Sequence, residues 1–579
     1  MYMRNNLLLF CVNLCCLLWC TSVYGQTEAP YAERLYVTTD KVTYVAGENL
    51  WLSLFCLDAQ TGRLSLLSSV AYVELCDAQK SLVQIKAALR EGRGSAMIEL
   101  PSDLPTGNYH LRAYTRYMQN EGEGVFFSKV ISIYNVLSTE RAAQTLVVEE
   151  GQTGREAVGA ALELPLLKLA LSASALSLRT PFTVEIENTG DEPAYYALSV
   201  YALDLLEAAA NPNIVAYSQN LPERSTFSNR YVADYEGEVL YGRVLRPAEA
   251  QALPIDAASK AYLSVVGNPT RLTEGKIIDV AGRVSFYTPG IYGSRDMVTQ
   301  LYPQFERSEQ IVLDNAFAYY TPRPLHPLHL YPNTGEALLK RGLSMQLGQT
   351  FFLDTLHLPQ TPLMHQLLFG HSANYILDHF TRFPIMKEVI AEFVLEARIR
   401  PLRGEEVFMV RMYDGFNQFY YVEEKALVLL DGVPIFDHER IINIDPMLIE
   451  RITVYDGLYY TGNTTHYGII DMKTYKGNLG GLSFPETVRI TSFEGLQYPL
   501  RFKGPEYDAS HRAIDPRLQN TPDWRHSLYW DGDLRLPAGE KQEIVCHTSD
   551  YVGDFVVVIE GMTASGKAFY QTATFTVRP

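Results

Sequence analysis

Cysteine is scarce where it would matter: of the seven in the 579-residue chain, Cys11, Cys15, Cys16 and Cys20 crowd the N-terminus, leaving Cys56, Cys76 and Cys546 for the rest. Three scattered cysteines make neither a disulfide framework nor a zinc site. Cys56 and Cys76 fall in neighbouring strand-like runs, and two readings stand, a pair of buried apolar thiols or a disulfide permitted by an oxidising compartment. Basic runs are also missing. With a formal net charge of −17 and no basic run to form a clustered positive surface, nucleic acid is not an expected partner. After the N-terminus no apolar stretch reaches the roughly 20 residues a membrane helix needs, so no transmembrane helix is expected in the mature chain. The metalloprotease, nucleophile-elbow, phosphate-loop and calcium-loop motifs are all absent. The chain therefore reads as a non-enzyme with no catalytic residues, no cofactor and no metal.

What is there begins with Arg4, an apolar run from Leu7 to Trp19 and a polar stretch ending at Gly25-Gln26. This is the grammar of a secretory signal peptide over 1–25, cleaved after Gly25. Lipidation at Cys20 is the rival, disfavoured by bulky Trp19 where a small residue belongs. The expected location is the periplasm, the outer membrane or the cell surface.

Tyr (38 in all), Val, Thr and Phe recur in short alternating runs punctuated by Gly, Pro and Asn, the pattern of β-sandwiches. The fold class is mainly β and multi-domain: tandem sandwiches plus one α/β unit. Six segments follow the leader: a sandwich over 31–137, a second over 166–235, a β domain over 236–315, a proline-marked connector over 316–374, an α/β unit over 375–476 and a C-terminal sandwich over 477–579. The first opens Thr39-Asp40-Lys41, Tyr44, Gly47-Glu48 and closes Leu104-Pro105-Thr106-Gly107-Asn108-Tyr109-His110-Leu111-Arg112-Ala113-Tyr114. These blocks resemble the second-domain type of the alpha-macroglobulin family. The resemblance implies a sandwich and not protease trapping, because the thioester Cys-Gly-Glu-Gln is absent. Gly242-Arg243-Val244 and 279–286 resemble the transthyretin-like regulatory sandwich, with an independent Ig-like domain as the alternative.

The α/β unit is sharper. Met386, Val389, Ile390, Phe393, Val394 and Ala397 recur at helical spacing after Pro384. Leu427-Val428-Leu429-Leu430 runs into the turn Asp431-Gly432-Val433-Pro434. Then come Ile449-Glu450-Arg451-Ile452-Thr453-Val454-Tyr455-Asp456-Gly457 and Gly468-Ile469-Ile470-Asp471-Met472-Lys473-Thr474. In order and spacing these blocks resemble the plug domain of TonB-dependent outer-membrane receptors, with a shortened stretch from Tyr459 to Gly468 and no second glycine after Gly468. Residues 475–579 are too few for a receptor barrel, whose about 22 strands of roughly 10 residues need well over 200. The resemblance implies a recognition module in or near an outer-membrane assembly, with an envelope or outer-membrane protein as partner and oligomeric state left open. The alternative is a surface scaffold or adhesin. Candidate binding residues are Asp431, Gly432, Tyr455, Tyr459 and Tyr460, with Tyr413 and Phe416 from the aromatic patch over 413–421. His326, His329, His357, His365, His371 and His379 are irregularly spaced for metal ligation, and Glu405, Glu406 and Asp437 read as solvated loop charges.

Overall fold

The computed structural model describes residues 31–148, 166–223, 226–245, 259–267, 271–277, 281–288, 290–302, 309–351, 356–357, 372–413 and 419–579. The leader, Cys20, Phe416, His365 and His371 lie outside these residues.

Strands dominate, as the alternating runs predict. The first sandwich stacks the sheet Glu33–Thr39, Asn49–Asp58, Arg93–Glu99 on a five-stranded sheet ordered Thr43–Val45, Phe127–Tyr134, Gly107–Thr115, Val70–Cys76, Ser81–Ala88. Leu35, Val37, Leu52, Leu54, Val73, Leu111 and Ile131 fill the space between. The opening blocks of the sequence prove to be a buried polar lock. Asp40 accepts from the Tyr44 hydroxyl at 2.8 Å and the Trp51 N–H at 3.1 Å, and Glu48 accepts from the Val45 N–H at 3.1 Å. Every residue of Glu33–Thr39 is buried, on both faces. One face meets the sandwich core; on the other, Tyr36 and Thr38 each donate at 2.5 Å to Glu560, far along the chain. Cys56, Cys76 and Cys546 are buried free thiols.

The second sandwich corrects the expected division into 166–235 and 477–579. Ala194–Ala202 has Gly553–Thr563 on one side and Ser527–Leu536 on the other, and Pro181–Asn188 pairs with Lys541–His547. Residues 167–202 and 527–578 are the two parts of one discontinuous sandwich with one core, where Phe182, Val184, Leu198, Val200, Phe555 and Ile559 meet. Neither half has enough strands to cover its own apolar face. Residues 236–315 form most of a seven-stranded sheet, yet its edge strand, Arg489–Glu494, comes from beyond the α/β unit and pairs with Ser294–Tyr302. The connector also differs from a bare spacer. Leu328–Leu330 pairs with Thr145–Val147, and the helix Gly335–Phe351 buries Arg341 against Glu48 at 2.8 Å and Asp204 at 2.8 Å.

The α/β unit holds a five-stranded sheet ordered Ser372–Ile376, Ile449–Thr461, Thr464–Thr474, Leu427–Leu430, Val433–Pro434. Beside it lie the three strands Ala397–Leu402, Glu405–Tyr413 and Phe419–Tyr421 and the helices Met386–Phe393 and His438–Ile442. The first helix ends at Phe393, so Ala397, expected on its face, opens a strand instead. Leu427–Leu430 is buried throughout and runs parallel to Thr464–Thr474, as a continuous apolar run predicts for a central strand. Gly468 has φ +81°, and a Cβ there would lie 2.4 Å from that of Val410, so no side chain fits. Among the described residues no helix is long and apolar enough to cross a membrane.

Candidate functional site

The α/β unit packs against the 236–315 sheet, and a cavity of about 950 Å³ opens at their seam. Five chain segments build it: the end of Ser294–Tyr302, the turn over 404–406, Lys425, the loop and short helix over 434–443, and residues 482–488. The seam is tied across by Gln300, whose Nε2 donates to the Pro434 carbonyl at 3.0 Å, and by Gln310, which donates to the Glu486 carbonyl at 2.7 Å. Phe436 stacks on Tyr302 with centroids 4.1 Å apart and rings 7° from parallel, and meets Tyr262 at 5.0 Å. This apolar wall anchors the loop that carries the polar groups.

Asp437 caps the helix His438–Ile442, accepting from the Glu439 N–H at 3.2 Å. The cap points the first helical residue, His438, inward. Its ring is 5 % exposed, lies edge-on to Phe408 at 5.7 Å and accepts the Phe408 N–H on Nδ1 at 3.0 Å. That bond leaves the proton on Nε2. Burial, reinforced by the Lys425 ammonium, pushes the imidazole down to about 4, so it is a neutral donor at ordinary pH. Lys425 lies 5.1 Å from the Tyr302 ring centroid and has no ion pair among the described residues. Thr487 is 3 % exposed and lines the opposite wall.

Glu405, Glu406, Asp437 and Glu439 rim the opening. Charges that sequence spacing left unconnected thus gather around one cavity. Glu406 is held by Lys387 and Asp437 by Arg440 at 3.0 Å. The arrangement is suited to binding: an aromatic wall, donors inside and carboxylates outside.

The candidates chosen from sequence fall elsewhere. Asp431 is 1 % exposed, with its carboxylate accepting from the Thr474 N–H at 2.8 Å, the Thr474 hydroxyl at 2.6 Å and the Leu479 N–H at 2.7 Å. It and Gly432, at φ +47° and +87°, shape the turn and offer nothing outward. Tyr455 and Tyr459, edge-on at 6.0 Å, pack with Tyr262, Leu427 and Ile469 where the unit meets the neighbouring sheet. Burial raises Tyr459 to about 12. Among the candidates whose side chains are described, only Tyr460 is turned out, 70 % exposed beside Leu458 at 48 %. Tyr413 ends the strand Glu405–Tyr413, and its ladder partner is Phe419. His329 pairs with Glu207 at 3.1 Å, and no group of three metal-ligating side chains occurs among the described residues. Tyr302, Lys425, Phe436, His438 and Thr487 had no such signal in the sequence, because the segments that bring them together are far apart along the chain.

No family model matches the chain. No curated protein matches it either. Solved structures similar to it include an alpha-2-macroglobulin of Salmonella reacted with methylamine, at 9 % identity over 95 % of this chain and 40 % of that one, TM-score 0.23. Trypsin-activated alpha-2-macroglobulin from Escherichia coli gives 9 % identity over 96 % and 42 %, TM-score 0.24. The Escherichia coli adhesin FdeC gives 10 % identity over 48 % and 62 %, TM-score 0.13. The chain spans about 40 % of the length of the macroglobulin chains. TM-scores this low do not amount to a shared overall fold, and nothing about function follows from them.

Proposed function

We propose that this is a non-enzymatic binding or adaptor protein of the bacterial envelope, in which the unit over 375–476 recognises a partner while the sandwiches hold it in place. The observation that supports this reading is the seam cavity, walled jointly by the α/β unit and the sheet beside it, with binding groups inside and the exposed Leu458 and Tyr460 on the same unit. The leader-like N-terminus and the ordered receptor-plug blocks favour an outer-membrane setting for the partner.

Photo-crosslinking in the native host is the test. A photoreactive residue at Tyr460, 70 % exposed, is expected to trap a defined envelope protein, while one at Leu66 on the first sandwich, 68 % exposed, is not. Equal labelling from both positions, or none from Tyr460 in any envelope fraction, contradicts the proposal.

A surface scaffold or adhesin is the second reading, favoured by one feature: buried ion pairs join the first and second sandwiches through Arg341, as a rigid outward-reaching stack requires. Protease shaving of intact cells separates the two, since cleavage within 31–137 fits the scaffold and full protection removes it.

A further inference from the structure

We infer that the seam cavity is a receptor for a single carboxylate attached to an apolar or aromatic group, as at the C-terminus of a polypeptide or on a free organic acid. The inference rests on the recognition reading and supplies its ligand chemistry. Two residues that line the cavity and are more than nine-tenths buried carry polar groups with no hydrogen bond to the described residues: the Nε2–H of His438, whose other nitrogen is occupied, and the hydroxyl of Thr487. Donors left open on a cavity wall are available to an acceptor carried by a ligand. Both residues line the same cavity.

The third group is Lys425. Its ammonium has no counter-ion among the described residues, is held over Tyr302 at 5.1 Å, and stands near enough to His438 to depress its basicity. An ammonium, a neutral imidazole N–H and a hydroxyl facing one space form an acceptor site of net charge +1, and a carboxylate completes it by accepting from all three. The stacked pair Tyr302 and Phe436 offers a flat apolar wall for the group that carries the carboxylate. The rim sets the limit on charge. Glu405, Glu406, Asp437 and Glu439 line the same cavity, so a dianion such as a phosphate monoester pays about twice the repulsion of a monoanion.

Calorimetric titration of the intact protein tests this with three probes: the tripeptide Gly-Gly-Phe with a free C-terminal carboxylate, the same tripeptide amidated, and 3-phenylpropionate. Binding of the free-acid peptide with at least tenfold loss on amidation is expected, and binding of 3-phenylpropionate as well assigns the site to the acid rather than to the peptide chain. Lys425→Met should remove binding, Lys425→Arg should restore most of it, and Thr487→Val should weaken it severalfold, with thermal unfolding showing that each variant is folded. Equal affinity for acid and amide, or an undiminished Lys425→Met, overturns the inference. Photo-crosslinking from Tyr460 in the Lys425→Met background keeps the two readings apart. Loss of acid binding alone leaves recognition through another surface, whereas absence of crosslinking from the parent protein removes the recognition reading itself.

Discussion

Asp431 shows how much a single side chain in a turn can hold. It sits at φ +47°, a left-handed conformation that Asp and Asn tolerate better than other residues with a side chain. Its carboxylate satisfies two buried backbone N–H groups and one hydroxyl, joining the turn after Leu427–Leu430 to Thr474 and Leu479. Alanine would leave those donors unpaired and add backbone strain, a cost of about 3 kcal/mol at the level of one unsatisfied buried network. Asparagine keeps one acceptor oxygen and the tolerated φ, so about half that loss is expected. Urea unfolding of Asp431→Ala and Asp431→Asn checks the order, and a surface-like loss below about 0.5 kcal/mol for the alanine variant would show that the carboxylate is dispensable. Asp431 was chosen from sequence as a binding residue; the same conformational demand that makes Asp-Gly recognisable in a turn explains why it serves the turn and not a ligand.

At the scale of elements, the strongest departure from sequence expectation is the discontinuous sandwich. Ala194–Ala202 takes both of its neighbours from beyond residue 526. Residues 166–235 alone should therefore give no cooperative unfolding transition, while residues 524–579 joined ahead of them by a flexible linker should fold as one sandwich. Circular dichroism during urea titration of both pieces is decisive, and a cooperative transition in 166–235 alone would mean that the C-terminal strands are an accessory. Strand type was legible in the alternation of Phe182-Thr183-Val184-Glu185-Ile186 and in the run Phe555 to Ile559, since side-chain period is a local property. Pairing was not, because an alternating strand states that one face is buried without stating by what. The same limit hid the candidate site. Tyr302, Phe436 and Thr487 are ordinary aromatic and hydroxyl residues in three separate segments, and only the seam between two sheets gives them a common purpose. The block of Asp40, Tyr44 and Glu48 was legible as an ordered motif because its members are close along the chain, but the hydrogen bonds that make it a lock were not.

Across the whole molecule, units are joined by buried ionisable groups instead of purely apolar surfaces, and this makes stability depend on pH in two opposed ways. At one seam, Arg341 binds Glu48 and Asp204, and His526 Nε2 lies 3.2 Å from its guanidinium. Burial and that cation push His526 down to about 4; Glu48, despite its burial, is held down at about 2 by Arg341 and Lys41. At the other seam, between the first sandwich and the 236–315 sheet, Lys86 pairs with Glu238 at 2.8 Å and Tyr72 donates to Asp234 at 2.9 Å. Burial, only partly offset by Arg116, raises Asp234 to about 7. For His526 the unfolded chain binds more protons between pH 6.5 and 4, so stability is lost as pH falls through that window. For Asp234 the folded chain binds more protons between about pH 4 and 7, so stability is lost as pH rises through it. The two contributions cancel over most of their shared range. His526→Gln should shift the stability profile between pH 4.5 and 6.5 toward a fall with rising pH, by up to about 1.4 kcal/mol per pH unit relative to the parent. Asp234→Asn should shift the profile the opposite way, toward a rise with pH over the same range relative to the parent. Urea unfolding followed by tryptophan fluorescence at pH 4.5, 5.5, 6.5 and 7.5 reads both slopes, and profiles parallel to the parent for both variants would show that neither group titrates differently on folding. A molecule joined in this way balances its two seams against each other across the mild acid range, while the single variants shift the balance toward one side of neutrality.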